Sequence, residues 1–272
     1  MRIDLLPTHI ALCLALGLVA LAPSRPRKLA ASRALGLVFP GMMLAAGVAA
    51  VVATRSGADT LTALAAVATP VLAGLSGWLL RWRRPWATAL LAGLLYALAW
   101  LKAGTLVGEA AGVLLIAGAC LTIAALLRGL ASPRTLAAGV VLVASLDVLF
   151  VWVLGDMAPT MAALDTIART GSRLDETTVP SLQVVTLGPS MMGWLDLLAP
   201  ALVGTMLPRS WRMRIVCAGS IVAAALTWGL LHAVSPLIPA TVPSLAGFAP
   251  VLLGAFYARS RRVVGVATAS PS

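Results

Sequence analysis

The chain has 272 residues, of which 60% are hydrophobic and 11% charged, and its mean hydropathy is +0.99. An ordinary soluble domain is about half apolar and a quarter charged, so the composition excludes a soluble enzyme and predicts a polytopic membrane protein. The net charge of +11 does not indicate nucleic-acid binding, because the basic residues form short clusters between hydrophobic runs and no single patch.

Taken in chain order, nine hydrophobic runs are long enough to cross a hydrocarbon core of about 30 Å as helices. We expect spans at residues 9–23, 34–54, 60–80, 86–102, 105–127, 135–154, 185–207, 215–234 and 237–258. The first run is followed by its positive charges, which favours a retained helix over a cleaved signal peptide. The predicted fold class is therefore an all-α transmembrane bundle. It has a five-span part over 1–134 and a second part over 135–272, which includes a long extracytoplasmic loop at 155–184.

The distribution of Lys and Arg between the loops predicts the orientation. One set of alternate loops holds Arg25, Arg27, Lys28, Arg33, Arg81, Arg83, Arg84, Arg128, Arg134, Arg209, Arg212, Arg214, Arg259, Arg261 and Arg262. The other set holds Arg2, Arg55, Lys102, Arg169 and Arg173. Because cytoplasmic loops are enriched in basic residues, we expect the N-terminus outside and the C-terminus in the cytoplasm.

Two acidic residues lie deep within predicted spans. Asp147 is in span 6 and Asp196 is near the middle of span 7, whereas Glu109 lies about one turn inside span 5, where it can reach the interface. A carboxylate at the bilayer centre costs at least about 2.5–3.5 kcal/mol. Two close carboxyl groups share a proton, so one acts as an acid and the other as a base that activates water. The same pair also suits a proton relay in a transporter, or a hydrogen bond between helices.

Three segments carry a family resemblance. They are SLDVLFVWVLG around Asp147, GWLDLLAPALV around Asp196, and PSLAGFAP from Pro243 to Pro250. In order and spacing they resemble the two aspartate motifs and the Pro-Ala-Leu motif of the presenilin and signal peptide peptidase family. The sequence departs from those motifs at three positions. Leu146 replaces the Tyr before the first Asp, Leu195 replaces the second Gly of the Gly-x-Gly-Asp motif, and Ser244 replaces the Ala of the Pro-Ala-Leu motif.

The resemblance implies an intramembrane aspartyl endopeptidase that cleaves transmembrane segments, such as remnant signal peptides, in a prokaryotic cell membrane. Its catalytic residues would be Asp147 and Asp196, without metal or organic cofactor. Its substrate-binding positions would be Gly193, Leu195, Pro243, Ser244 and Leu245. Two alternatives stay open: an inactive homologue that binds membrane helices, and a proton-coupled transporter. The sequence defines no oligomeric state.

Two other patterns have structural interpretations. The segment GLSG at Gly74–Gly77 matches a short rhomboid-protease pattern, but we expect Ser76 to permit close helix packing. Cys13, Cys120 and Cys217 each lie inside a hydrophobic run, so we expect small packing residues without a disulfide framework.

Overall fold

A computed structural model describes residues 5–22, 55–132, 134–140, 182, 184–207 and 210–234. These residues form seven helical segments and one β-hairpin. The helices are α1 (Leu5–Leu21), α2 (Arg55–Leu79), α3 (Pro85–Leu101), α4 (Leu106–Leu130), α5 (134–140), α6 (Trp194–Met206) and α7 (Trp211–Val234). The hairpin strands are β1 (Val185–Leu187) and β2 (Ser190–Met192).

The predicted helices at 9–23, 60–80, 86–102, 105–127 and 215–234 are confirmed as helices, with ends that shift by a few residues. By length and composition, α4 is the one helix among the described residues that is long and apolar enough to cross a membrane. The predicted spans 34–54 and 237–258, and most of 135–154, lie outside the described residues. The same holds for the loop at 155–184, apart from Leu182 and Val184.

The turn between α2 and α3 shows how local sequence sets the helix ends. Arg81 adopts φ +57°, a left-handed conformation. The N–H of Trp82 donates to the Gly77 carbonyl and the N–H of Arg81 to the Trp78 carbonyl, which is the Schellman pattern of helix termination. Pro85 then occupies the first turn of α3, where its fixed φ and missing N–H are tolerated.

Among the described elements, helix α4 is the most central. On one side it packs against α2 and α3, and on the other against α6 and β1. Gly118 lets it approach α2 closely, because a Cβ there would lie 3.0 Å from the Ala73 Cβ. The Thr122 hydroxyl donates to the Leu72 carbonyl at 2.6 Å and ties the same two helices. Its buried residues belong to two hydrophobic clusters, so α4 joins the two halves of the core.

Contacts between helix ends fix the relative directions of α1, α4, α6 and α7. The tip of the hairpin at Gly188 lies against Thr8 of α1 and Leu106 of α4, so α1 and α4 begin at the same end. Gly204 near the end of α6 lies against Ala20 near the end of α1. Arg214 in the first turn of α7 donates to the Ala22 carbonyl at 2.8 Å. Thus α1, α4 and α6 are parallel, and α7 is antiparallel to them.

This arrangement sorts the described basic residues along the bundle. We use "basic end" for the end of the bundle that contains Arg81, Arg83, Arg84, Arg128, Arg134, Arg212 and Arg214. Arg55 and Lys102 lie at the opposite end, together with Glu109. Arg81, Arg83 and Arg84 lie at the opposite end from Lys102 because short connections reverse the chain direction before and after α3.

The outward faces of several helices are apolar. On α1, Leu14 and Leu18 are more than half exposed, and on α2 the exposed stripe includes Leu64, Val67 and Val71. The exposed stripe of α3 consists of Trp86, Leu90, Leu91, Leu94 and Leu101. A helix on the surface of a water-soluble protein carries polar residues on that face, whereas helices that are apolar all round are typical of membranes or buried cores.

Arg214 is buried and donates to the carbonyl of Leu21, the last residue of α1, and to that of Ala22, the residue that follows it. We expect Arg214→Leu to lower the free energy of unfolding by about 1.5 kcal/mol, because hydrogen bonds from charged groups are worth about this much. Arg212→Leu is the matched control, since Arg212 is exposed on the same turn and its loss should change stability by less than about 0.5 kcal/mol. Thermal unfolding in detergent measures both, and equal midpoints for the two variants would contradict the interpretation.

Candidate functional site

Residues 185–192 form a β-hairpin, so the prediction of one continuous helix over 185–207 is wrong for its first third. Val185 pairs with Met192 and Leu187 with Ser190 in antiparallel register. Gly188 begins the two-residue loop with φ +57°, a conformation that tight hairpin turns require and that glycine tolerates. Pro189 follows, and its missing N–H prevents regular helix pairing at this point. The helix begins only at Trp194.

The hairpin is attached to the ends of two helices. A Glu109 carboxylate oxygen in the first turn of α4 accepts a hydrogen bond from the Gly188 N–H at 2.5 Å. The hydroxyls of Thr8 and Ser190 lie 2.9 Å apart and join α1 to β2. Val185 has no exposed surface and lies in the core cluster. The hairpin is therefore part of the packed bundle.

Asp196 lies in the first turn of α6 and is fixed by a capping interaction. Gly193 is the N-cap residue, and its N–H donates to Asp196 Oδ2 at 2.9 Å. The Asp196 N–H in turn donates to the Gly193 carbonyl at 3.1 Å. The hydrogen bond from Gly193 orients the carboxyl group, which lies at a helix N-terminus, a position that favours acidic residues. The expectation that Asp196 lies in the middle of a helix is corrected accordingly.

The start of α6 lies near the middle of α4 along the bundle axis. The Cys120 thiol donates to the Trp194 carbonyl at 3.5 Å, and Cys120 is fourteen residues after Leu106 and ten before Leu130. At 1.5 Å per residue these distances are about 21 and 15 Å. Asp196 follows Trp194 by two residues, so it lies at a similar level along the bundle axis. Its side chain is half-buried.

The residues next to Asp196 pack into the core, and one of them interrupts the backbone hydrogen bonds of α6. Leu197 and Leu198 are buried, and Leu195 packs against the same core cluster while staying half-exposed. Pro200 is buried inside α6 and has no N–H for the carbonyl of Asp196 four residues earlier. The first turn of α6 therefore depends more on its cap and its packing than on the regular helix ladder.

Of the predicted site residues, the structure brings Gly193, Leu195 and Asp196 together at the junction of β2 and α6. Asp147, Pro243, Ser244 and Leu245 lie outside the described residues. Within the described segments, no three His, Cys, Asp or Glu side chains are grouped as metal ligands.

The sequence interpretation missed the hairpin and its contact with Glu109. The detectable pattern was Gly188–Pro189 after the β-branched pair Val185–Thr186, since a Gly-Pro dipeptide marks a turn. Glu109 was assigned to the interface, and the hydrogen bond to a residue 79 positions away follows only from the tertiary fold.

The interpretation of Ser76 as a packing residue is confirmed. Its hydroxyl donates to the Ala73 carbonyl of the same helix at 2.7 Å. A Cβ on Gly77 would overlap Thr88 of α3, and the Thr88 hydroxyl donates to the Gly74 carbonyl at 3.0 Å. The segment GLSG thus permits the close approach of α2 and α3.

The three cysteines are buried, as expected. Cys13 and Cys217 belong to the core cluster, and so does Cys120, which additionally donates to Trp194. None of the three is bridged, so they act as small packing residues.

The contact between Glu109 and Gly188 gives a prediction about the hairpin. We expect Glu109→Ala to increase amide hydrogen exchange in residues 184–193 by about tenfold or more, because a hydrogen bond to a charged group is lost. Glu109→Gln keeps an acceptor oxygen and serves as the control with a smaller effect. Hydrogen exchange measured by mass spectrometry tests this, and unchanged exchange in the Ala variant would show that Glu109 does not hold the hairpin.

Comparison of the chain with known family models, curated proteins and solved structures gives no significant match. The family resemblance therefore depends on the three short motifs given above.

Proposed function

We propose that the protein is a polytopic membrane protein with about nine spans, an external N-terminus and a cytoplasmic C-terminus. The apolar outward stripes of α1, α2 and α3 support contact with lipid, since such faces are unfavourable in water. The basic end of the bundle supports the orientation, because arginines concentrate on the cytoplasmic side. The length and composition of α4 agree with a spanning helix.

Within this bundle we propose an intramembrane aspartyl endopeptidase, in which Asp147 and Asp196 are the catalytic pair. The observation that carries the proposal is the position of Asp196. It is half-buried, level with the middle of α4, and oriented by the Gly193 N–H. A carboxyl group at this depth is costly, which favours a functional role over a chance substitution. Asp147 would supply the second carboxyl group, so that one activates water and the other protonates the leaving nitrogen.

The hairpin suits the substrate that such an enzyme requires. A transmembrane helix hides its amide bonds, so it must unwind locally and its backbone groups then need new partners. In the described part of the chain the sheet has two strands, and β2 leads through Gly193 to Asp196. An extended substrate segment pairing with a strand edge would regain backbone hydrogen bonds beside the carboxyl group. The sequence motif at Pro243–Leu245 would contribute to the same substrate path.

The testing experiment measures cleavage of a labelled single-span peptide by purified protein in lipid nanodiscs, by mass spectrometry of the products. Wild type is compared with Asp147→Asn and Asp196→Asn. We expect internal cleavage within the apolar segment by wild type only. A folded wild type that binds the peptide without cleaving it, over several signal-peptide sequences, would refute the peptidase and favour an inactive homologue. Proton-coupled solute uptake into vesicles would instead favour a transporter.

A further inference from the structure

The turn between α2 and α3 borders an open groove of about 710 Å³ at the basic end. We call it the arginine groove, and it is lined by Trp82, Arg83, Arg84, Ala87, Thr88 and Leu91. The part of the groove at the turn carries the exposed side chains of Arg83 and Arg84. The rest continues along α3 over the apolar side chains of Ala87 and Leu91. The proposed peptidase site does not use these residues, although the two arginines belong to the basic end.

The charge in the groove is not compensated by the described part of the chain. Glu109 lies at the opposite end of the bundle and Asp196 near its middle, and no other acidic residue of the described segments lies at the basic end. Helix α3 begins at the groove, and Arg84 as its N-cap residue makes no side-chain capping hydrogen bond. The positive end of the helix dipole therefore adds to the two guanidinium charges. This charge is complementary to an anion.

The apolar part of the groove favours an occupant that carries a hydrocarbon segment as well as a charge. Leu91 is more than half exposed, and Leu94, one turn further along α3, is 68% exposed. Trp82, which is exposed at the mouth, has the amphipathic ring that is enriched at the membrane interface. An occupant that matches both parts has an anionic head and a hydrocarbon tail.

The backbone of this turn brings the aromatic and basic side chains to the groove. Arg81 takes a left-handed φ of +57°, which glycine would adopt at lower cost. The resulting turn directs the chain from α2 back onto α3 within five residues, so Trp82, Arg83 and Arg84 lie at the mouth of the groove.

We propose that the arginine groove binds an anionic phospholipid, with the phosphate at Arg83 and Arg84 and one acyl chain along Leu91. Basic pockets between helices on the cytoplasmic side of a membrane recognise such headgroups. The proposal rests on the membrane embedding inferred above and is independent of peptidase activity. A failed cleavage assay therefore leaves it unaffected.

The test measures lipid binding to the purified full chain in neutral detergent by native mass spectrometry. Phosphatidylglycerol is titrated against phosphatidylcholine, and the variant is the double substitution Arg83→Gln with Arg84→Gln. The matched control is Arg134→Gln with Arg212→Gln, which removes two exposed charges from the same end. We expect wild type and control to retain one phosphatidylglycerol, and the Arg83/Arg84 variant to bind it about tenfold more weakly or worse.

Three results would overturn the proposal. Equal affinity for phosphatidylcholine would exclude recognition of an anionic headgroup. An equal loss in the control variant would show a diffuse effect of surface charge. Displacement of phosphatidylglycerol by an equal concentration of soluble glycerol 3-phosphate would identify a site for free phosphate compounds, with no need for the acyl chain.

Discussion

Asp196→Asn is expected to lower the cleavage rate at least about 100-fold while the bundle stays folded. The Asn side chain still offers a carbonyl oxygen to the Gly193 N–H, so the cap of α6 is kept. It can neither accept a proton from water nor share one with Asp147, and acid–base catalysis contributes about 10²–10⁴ in rate. The measurements are the cleavage rate in nanodiscs and the unfolding midpoint of the same preparation.

Asp196→Ala separates the structural role of this residue from the chemical one. The Ala variant loses the hydrogen bond from the Gly193 N–H as well as the acid, so its free energy of unfolding should fall by about 1 kcal/mol. Asn and Ala variants should then be equally inactive but differ in stability. Activity in the Asn variant close to wild type would assign Asp196 to capping alone and would refute the proposed mechanism.

The helical part of the fold was predictable because hydrophobic length and charge distribution carry the information locally. The predicted runs 86–102 and 105–127 correspond to α3 and α4 within a few residues. The helix ends depend on turn chemistry such as Pro85 at the start of α3, which the sequence also displays. Membrane embedding over nine spans stays a prediction, as does the orientation.

The region 185–207 shows where hydrophobicity fails as a guide. The apolar run continues through both the hairpin and α6, so a search for uncharged length cannot separate them. The break is set by Gly188 and Pro189, and the hairpin is stabilised by contacts to Thr8 and Glu109, which are distant in sequence. Intrinsic hydrophobicity gives burial, whereas turn residues decide the backbone conformation.

The site was predictable in part. The grouping of Gly193, Leu195 and Asp196 follows directly from the motif, since the three are neighbours in sequence. The position of Asp196 at a helix start, and its hydrogen bond to Gly193, required knowledge of where α6 begins. The partnership with Asp147 stays a prediction, because that residue lies outside the described part of the chain.

Gly204→Val is expected to lower the free energy of unfolding by about 3 kcal/mol, because α1 and α6 are in backbone contact at this glycine. A Cβ on residue 204 would lie 2.6 Å from the Ala20 carbonyl oxygen and 3.2 Å from the Ala20 Cα. Both contacts are with backbone, which cannot rotate away as a flexible side chain would. The helices must separate, and overpacking of this kind costs about 1–3 kcal/mol or more.

A glycine-to-alanine pair gives the sharper form of this prediction, because the two sites should respond with opposite signs. Gly93 on α3 has no atom within 4 Å of an added Cβ, so Gly93→Ala should stabilise the helix by about 0.5–1 kcal/mol. Gly204→Ala gains the same helix propensity but must displace the backbone of Ala20, so its net effect is destabilising. Unfolding midpoints in one detergent decide between the signs. Stabilisation by both substitutions would mean that α1 does not lie against α6 at Gly204, and the parallel packing of these helices would have to be abandoned.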